Sequence, residues 1–453
     1  MIHKFEQNGL YIVLDVYSGA VHVVDRLIYL LLDFIDAEIL KSAASFGIIG
    51  MESDYTEQEC TEAMAEIIEL YKAGLLFSED TYGGLGEYSG GEIPVKALCL
   101  HVAHDCNMRC GYCFAATGDF GCERRIMAPE TAEKALDFIL SRSGKRRNIE
   151  IDFFGGEPLM AFDTVRRAVD YARSRENAEG KNFRFTITTN GLLLDDEKIG
   201  YINQNMSNVV LSLDGRREVN DRLRRTPDDR GTYDLVLQKM QSLVNTRGDK
   251  DYYLRGTFTA ENLDFSNDIE HISDLGFENT SVEPVVCPPD RPYAIRQEHL
   301  PQIFAEYDRL AEKLEKMREE GRGITFFHFM IDLSQGPCVI KRVKGCGAGS
   351  EYLAITPEGD IYPCHQFVGQ KDFLMGNIFE NTFNAEISKK FASITLNSRE
   401  KCVNCWAKYY CSGGCSAANF FQNGDLLEPY SVGCETEKKR LECAIYLTAK
   451  ESL

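Results

Sequence analysis

Apolar and polar positions change period several times along the chain, and the changes mark three blocks. In the first, "GLYIVLDVYSGAVHVV" alternates at period two on either side of Ser18-Gly19, which predicts a β-hairpin. "VDRLIYLLLDFI" and "TEQECTEAMAEIIELYKAGLLF" then carry apolar residues at helical spacing, the second opened by a Thr-x-x-Glu capping pattern at Thr56. The Gly-rich stretch "TYGGLGEYSGGEIP" (81–94), closed by a proline, reads as a linker. Residues 1–90 are therefore expected to form a small strand-plus-helix domain.

The second block, 95–325, alternates short β-rich runs with helical ones. The strand candidates are "VKALCLHVA", "IEIDFF", "FRFTITT", "VVLSLD", "LRGTFTA" and "TSVEPVV"; "APETAEKALDFILSR", "DTVRRAVDYARSR" and "TYDLVLQKMQSLV" are helices between them. Six β-α units in series predict an α/β fold whose parallel sheet curls into a barrel or part of one. In such folds chemistry sits at the carboxyl ends of the strands, and here "HDCNMRCGYCF", "GGEP", "NG" and "DG" each follow a strand candidate. The third block, 336–453, is rich in cysteine and turns and poor in long periodic helix, so bound metal is the expected staple.

Composition narrows the function. A chain of 453 residues implies two or three domains. The net charge of −20 disfavours nucleic acid or an anionic membrane as partner. Most of the excess lies in residues 1–92, with 4 Lys+Arg against 17 Asp+Glu, either a solvated face or a docking surface for a basic partner. No apolar run reaches membrane-spanning length and no signal-peptide pattern opens the chain, so a cytoplasmic location is expected. There, sixteen cysteines favour metal ligation over disulfides. Four of them lie between 99 and 113 and eight between 338 and 434.

Cys106, Cys110 and Cys113, spaced C-x3-C-x2-C, can hold three corners of a [4Fe–4S] cube and leave one iron open to chelate an amino and a carboxylate group. They could also be part of a zinc site completed by Cys122 or His104. In context the motif, with Tyr112 before its last cysteine, resembles the radical S-adenosylmethionine (SAM) superfamily, and the resemblance covers the whole second block. "FFGGEP" (153–158) is similar to that family's GGEP motif, by which Gly155, Gly156 and Glu157 would meet the SAM amino group. By the same resemblance Ser212 of "LSLDG" would contact SAM, Arg224 of "NDRLRR" its carboxylate, and Asn190 of "TTNG" the ribose side. Val282-Glu283-Pro284 is consistent with the family's late-strand contacts to adenosine.

The third block resembles the SPASM domain at seven cysteines: Cys346, Cys364, Cys402, Cys405, Cys411, Cys415 and Cys434. The resemblance assigns Cys402, Cys405, Cys411 and Cys434 to one auxiliary [4Fe–4S] cluster and Cys346, Cys364 and Cys415 to another, three clusters in all. Seven ligands leave one place open, for Cys338 or for a substrate thiolate. His365 stands where sulfatase-maturing relatives carry an Asp base, and is the possible base here. Cys60, Cys99, Cys122, Cys287 and Cys443 match no motif and read as core or spare thiols.

Taken together, the blocks resemble maturases of ribosomally made peptides, most of all those that install Cys thioether crosslinks in short six-cysteine (SCIFF) peptides. The resemblance implies a winged-helix-like leader-binding domain at 1–90, a partial (β/α)6 TIM-like barrel at 95–325, and a SPASM domain at 336–453. It implies a Cys-rich precursor peptide as partner, its leader added as a strand to a sheet edge, and a reductant such as a flavodoxin or ferredoxin. A 5′-deoxyadenosyl radical would abstract hydrogen from the acceptor residue, and sulfur held at the auxiliary cluster would close the S–C bond. A formylglycine-forming sulfatase maturase, a carbon–carbon-forming maturase and a non-enzymatic iron–sulfur electron carrier are the rival readings.

Overall fold

The computed structural model describes residues 1–41, 55–82, 85, 90–333 and 339–453. The chain begins with an antiparallel sheet in the order β1 (Ile2–Gln7), β2 (Leu10–Asp15), β3 (Val21–Val24). The hairpin expected around Ser18-Gly19 is β2–β3. β1 is an addition: Asn8 and Gly9 both take positive φ, 48° and 79°, as a tight hairpin turn requires. Against this sheet pack the helices Arg26–Leu31, Ala37–Lys41 and Glu57–Lys72. Thr56 closes the predicted capping box with Glu59, and Val13, Ile28, Ile67 and Leu76 lie in the shared core.

A single sheet organises the rest. Its strands are β4 (Ala97–His104), β5 (Arg125–Ile126), β6 (Asn148–Gly155), β7 (Asn182–Thr189), β8 (Asn208–Ser212), β9 (Asp251–Phe258), β10 (Asn279–Pro284) and β11 (Thr325–Phe326) from the second block. β12 (Tyr352–Ile355), β13 (Asp360–Tyr362) and β14 (Gly376–Asn377) come from the third. The order is β11-β10-β9-β8-β7-β6-β4-β12-β13-β14, with β5 paired to β4. From β11 to β4 all neighbours are parallel, and helices such as Pro129–Arg142, Phe162–Glu179 and Tyr233–Asn245 connect them. This is the partial barrel expected from the alternation, and its six main strands are the six candidates. Between helices and strands lies an apolar layer in which Leu98, Ile151, Phe153, Phe185, Ile187 and Leu211 are shut away from solvent.

Two features of the third block differ from expectation. β12 pairs in parallel with β4, Tyr352 opposite Ala97, so the cysteine-rich segment extends the barrel sheet. The block also ends in a 21-residue helix, Ser431–Glu451, where the sequence pattern suggested no long helix. Its apolar residues do not trace one stripe because neighbours cover several faces: Cys443 to Leu447 are five consecutive buried positions. Phe367, Phe373, Phe391 and Phe420 add a ring cluster, with Phe367 and Phe373 centred 4.3 Å apart, so apolar packing does contribute here.

The N-terminal sheet sits on this block. His3 stacks on Trp406 with ring centres 3.7 Å apart, and its Nε2 donates to Glu442 Oε1 at 3.0 Å. Asp80 takes hydrogen bonds from Lys408 and Tyr409. Among the described residues no helix is long and apolar enough to cross a membrane.

Candidate functional site

The carboxyl ends of the barrel strands converge on one cavity of about 240 Å³. β4 runs straight into the loop that carries Cys106, Cys110 and Cys113, and backbone bonds fix that loop: Arg109 N donates to Arg225 O at 2.7 Å and Gly111 N to Leu223 O at 2.8 Å. β6 ends in Gly155-Gly156, which cross directly over the loop's root. Gly156 N donates to Ala103 O at 2.7 Å and Glu157 N to Asp105 O at 2.9 Å. There is no room for a side chain at either glycine: a Cβ on Gly155, whose φ is +130°, would lie 2.2 Å from Ala103 O, and one on Gly156 2.1 Å from Asp105 O.

The cavity is lined by the three cysteines, Tyr112, Gly155, Gly156, Glu157, Asn190, Ser212, Arg224 and His365, so every residue predicted for the barrel site meets there. Their polar groups are already organised. Glu157, 1% exposed, accepts from Leu159 N, Thr189 Oγ1 (2.7 Å) and Asn190 N (2.8 Å), a brace between β6 and β7. Asn190 Nδ2 donates to Asn107 Oδ1 at 2.8 Å and lies 3.6 Å from Cys106 Sγ. Arg224 Nη1 donates to Tyr112 Oη at 2.8 Å, and Tyr112 donates in turn to Asp214 at 2.7 Å. Arg224 thus arrives with its charge already facing Asp214. His365 is tied by its Nδ1 to Tyr352 Oη at 3.4 Å and ringed by Phe114 and Phe154. Burial, then the nearby Arg255, pull its pKa down to about 4, leaving the imidazole neutral near pH 7.

Burial pushes the Cys106 thiol up to about 12 and Cys113 to about 11, and raises Cys110. Such thiols lose their protons to a metal rather than to water. All three are free, converge on one cavity and leave room beside them, which fits a three-thiol cluster site. Among the described residues no three His, Cys, Asp or Glu side chains close on a point as ligands of one ion would; thiols round a cubane stand apart by the width of the cluster. Neither zinc-completing candidate joins: His104 Nε2 faces His101 Nδ1 at 3.2 Å, and Cys122 is exposed with its Sγ near Phe120 O.

The seven cysteines Cys346, Cys364, Cys402, Cys405, Cys411, Cys415 and Cys434 lie near one another in two sets. The Cys364 thiol lies near those of Cys415 and Cys346, whereas that of Cys434 lies near those of Cys402, Cys405 and Cys411. Cys338 lies outside the described residues. Burial drives Cys364 and Cys411 up to about 12, so here too a cation has to displace the proton.

Sequence reading singled out Glu283 within Val282-Glu283-Pro284 but missed its partner Arg255. Arg255 on β9 donates to Glu283 on β10 at 2.8 Å, and both side chains line the cavity. Burial alone would raise the Glu283 carboxyl, but Arg255, His328 and Arg440 outweigh it and hold it down to about 2. The period-two inward register of "LRGTF" and "SVEP" was the available signal.

Residues 100–249 match the radical SAM superfamily, and residues 346–406 match SPASM, an iron–sulfur cluster-binding domain. The chain carries a radical SAM domain and a SPASM domain. These domains imply [4Fe–4S] clusters and SAM. TigE, a radical SAM cyclopropyl synthase of Paramaledivibacter caminithermalis, is 25% identical over 365 residues, 76% of this chain and 72% of its own. The fold is shared with anSMEcpe solved with AdoMet and the Kp18Cys peptide, at a TM-score of 0.64 and 20% identity over 79% of this chain and 98% of that one. It is shared also with Streptococcus suis SuiB solved with its precursor peptide SuiA, at 0.50 and 16% over 95% and 98%. SuiB therefore shares its fold with this chain over nearly the whole length of both.

Proposed function

We propose that this radical SAM protein installs intramolecular Cys thioether crosslinks in a ribosomally made, Cys-rich precursor peptide. A reduced cluster at Cys106, Cys110 and Cys113 together with SAM supplies a 5′-deoxyadenosyl radical when bound. The residues around it do the rest: Tyr112, Arg224 and Asp214 fix the loop against β8, Gly155 and Gly156 keep the backbone close, and the barrel wall excludes water. A peptide substrate is supported by the solved relatives, one holding the precursor SuiA and one the Kp18Cys peptide. β3 forms one end of its sheet, and strand addition there would seat a leader.

The thioether reading is supported by an unequal split of the auxiliary thiols, with Cys338 the rival for the fourth place of the smaller group. Cys402, Cys405, Cys411 and Cys434 make four, whereas Cys346, Cys364 and Cys415 make three among the described residues. The fourth place of the smaller group suits a substrate thiolate, with His365 at the cavity wall as the candidate base. The test is anaerobic reconstitution with SAM and a reductant such as flavodoxin or ferredoxin, followed by mass spectrometry of a co-expressed Cys-rich peptide. Each link should remove two hydrogens and protect one thiol from alkylation. Unchanged thiol counts in a modified peptide would favour carbon–carbon bond formation, formylglycine would favour the sulfatase-maturing reading, and no SAM turnover would leave an electron carrier.

A further inference from the structure

Arg399 stands between the two groups of auxiliary thiols, at 3% exposure. Its Nη1 donates to Ser412 O at 3.1 Å and its Nη2 to Ser416 Oγ at 2.9 Å. Ser412 follows Cys411 and Ser416 follows Cys415, so the guanidinium fork spans the turn that passes the chain from the four-thiol group to the three-thiol group. The Arg399 carbonyl also accepts from Cys402 N at 2.9 Å. Gly413 closes over the fork so tightly that a Cβ there would lie 2.3 Å from Nη1.

Among the described residues this cation has no conventional counter-charge. Among the described residues no carboxylate pairs with it, and its Nε has no hydrogen-bond partner. Burial acts on it most, and after burial the charges of Cys402, Cys411, Cys346 and Cys415, two from each group. An unpaired buried charge is expensive and persists only where something offsets it. Thiolate-ligated iron–sulfur centres are anionic, and their potentials follow the charge and hydrogen bonding around them.

We propose that Arg399 is the counter-charge shared by the two auxiliary clusters, a positioning residue that raises the reduction potential of both. The inference rests on reading the seven thiols as ligands of two such clusters. A cation near both acceptors stabilises the added electron on either, and so favours passing an electron into this end of the protein.

The test is an EPR-monitored redox titration of the fully loaded holoprotein. In Arg399→Gln the reduced-to-oxidised ratio of both auxiliary signals at a fixed potential should fall at least tenfold, which is 59 mV for one electron, while the SAM-perturbed signal stays in place. Arg399→Lys, which keeps the charge, should lie closer to wild type than Gln does. Should Gln fail to hold the auxiliary clusters while Lys holds them, the need for charge is supported; equal failure of both would make the role one of shape and overturn the proposal. Unshifted potentials, or a shift in only one auxiliary signal, would also overturn it. Wild-type protein with only the SAM-perturbed cluster would instead sink the reading of the thiols, and leave Arg399 without its partners.

Discussion

The crossing of Gly156 over the cysteine loop can be tested by adding one methyl group. In Gly156→Ala the new Cβ would sit 2.1 Å from Asp105 O, 2.5 Å from Asp105 C and 2.7 Å from Gly118 O. Ordinary contact starts near 3.4 Å, so the backbone must separate by about 1.3 Å, and no side chain is available to rotate away. Asp105 precedes Cys106, and Glu157 N is bound to Asp105 O, so the displacement falls on the loop that holds all three thiols. A misplacement of about 1 Å costs roughly a hundredfold in rate where geometry is tight. Deoxyadenosine formation should therefore drop at least about a hundredfold, with a weakened SAM-induced change in the cluster spectrum. Because cluster loading and folding are linked, these readouts are preferable to an unfolding midpoint. The matched control is Gly200→Ala in the helix Asp196–Asn205, where a Cβ meets nothing within 4 Å and helix propensity should gain about 0.5–1 kcal/mol. Deoxyadenosine release at the wild-type rate by Gly156→Ala would refute the account of the crossing.

Other consequences are open to measurement. Asp15 is fully buried, and although burial raises its pKa, hydrogen bonds from Ser78 and Ser18 outweigh that and hold it below the ordinary value. Its contribution is therefore complete above about pH 4 and fades as pH falls through the lowered folded value; Asp15→Asn should cost about 1–3 kcal/mol and speed hydrogen exchange in β2 and β3, and unchanged protection would count against this anchor. Trp406 is the sole tryptophan and stacks on His3, so His3→Ala should alter its emission; an identical spectrum would mean that the N-terminal sheet is not seated there. If the acidic excess of residues 1–92 steers the leader, its binding should weaken as salt rises and the Debye length shrinks to about 10 Å at 0.1 M, whereas salt-independent affinity would assign the charge to solvation alone.

Much of the fold was legible because its elements obey local rules. The alternation of β-rich and helical runs gave the strands β4 and β6 to β10, and Thr56 announced its helix through a capping box that forms. β1 was missed although Asn8-Gly9 is a strong turn signal, because "IHKFEQ" has no clean alternation. The long helix Ser431–Glu451 was missed for the opposite reason: burial on several faces erases the single stripe that periodicity detects.

The sequence by itself determined the chemistry on offer, since thiols at fixed short spacings, a double glycine at a strand end and a run of β-α units are local facts. Only the tertiary structure decided which groups face one another. Arg255 meets Glu283 because β9 and β10 are neighbours in the sheet, and Arg399 lies between the two sets of cysteines because the turn at Ser412–Ser416 folds back over it. Spacing along a chain fixes what a loop can hold; the energy of a buried charge depends on what packs around it from elsewhere.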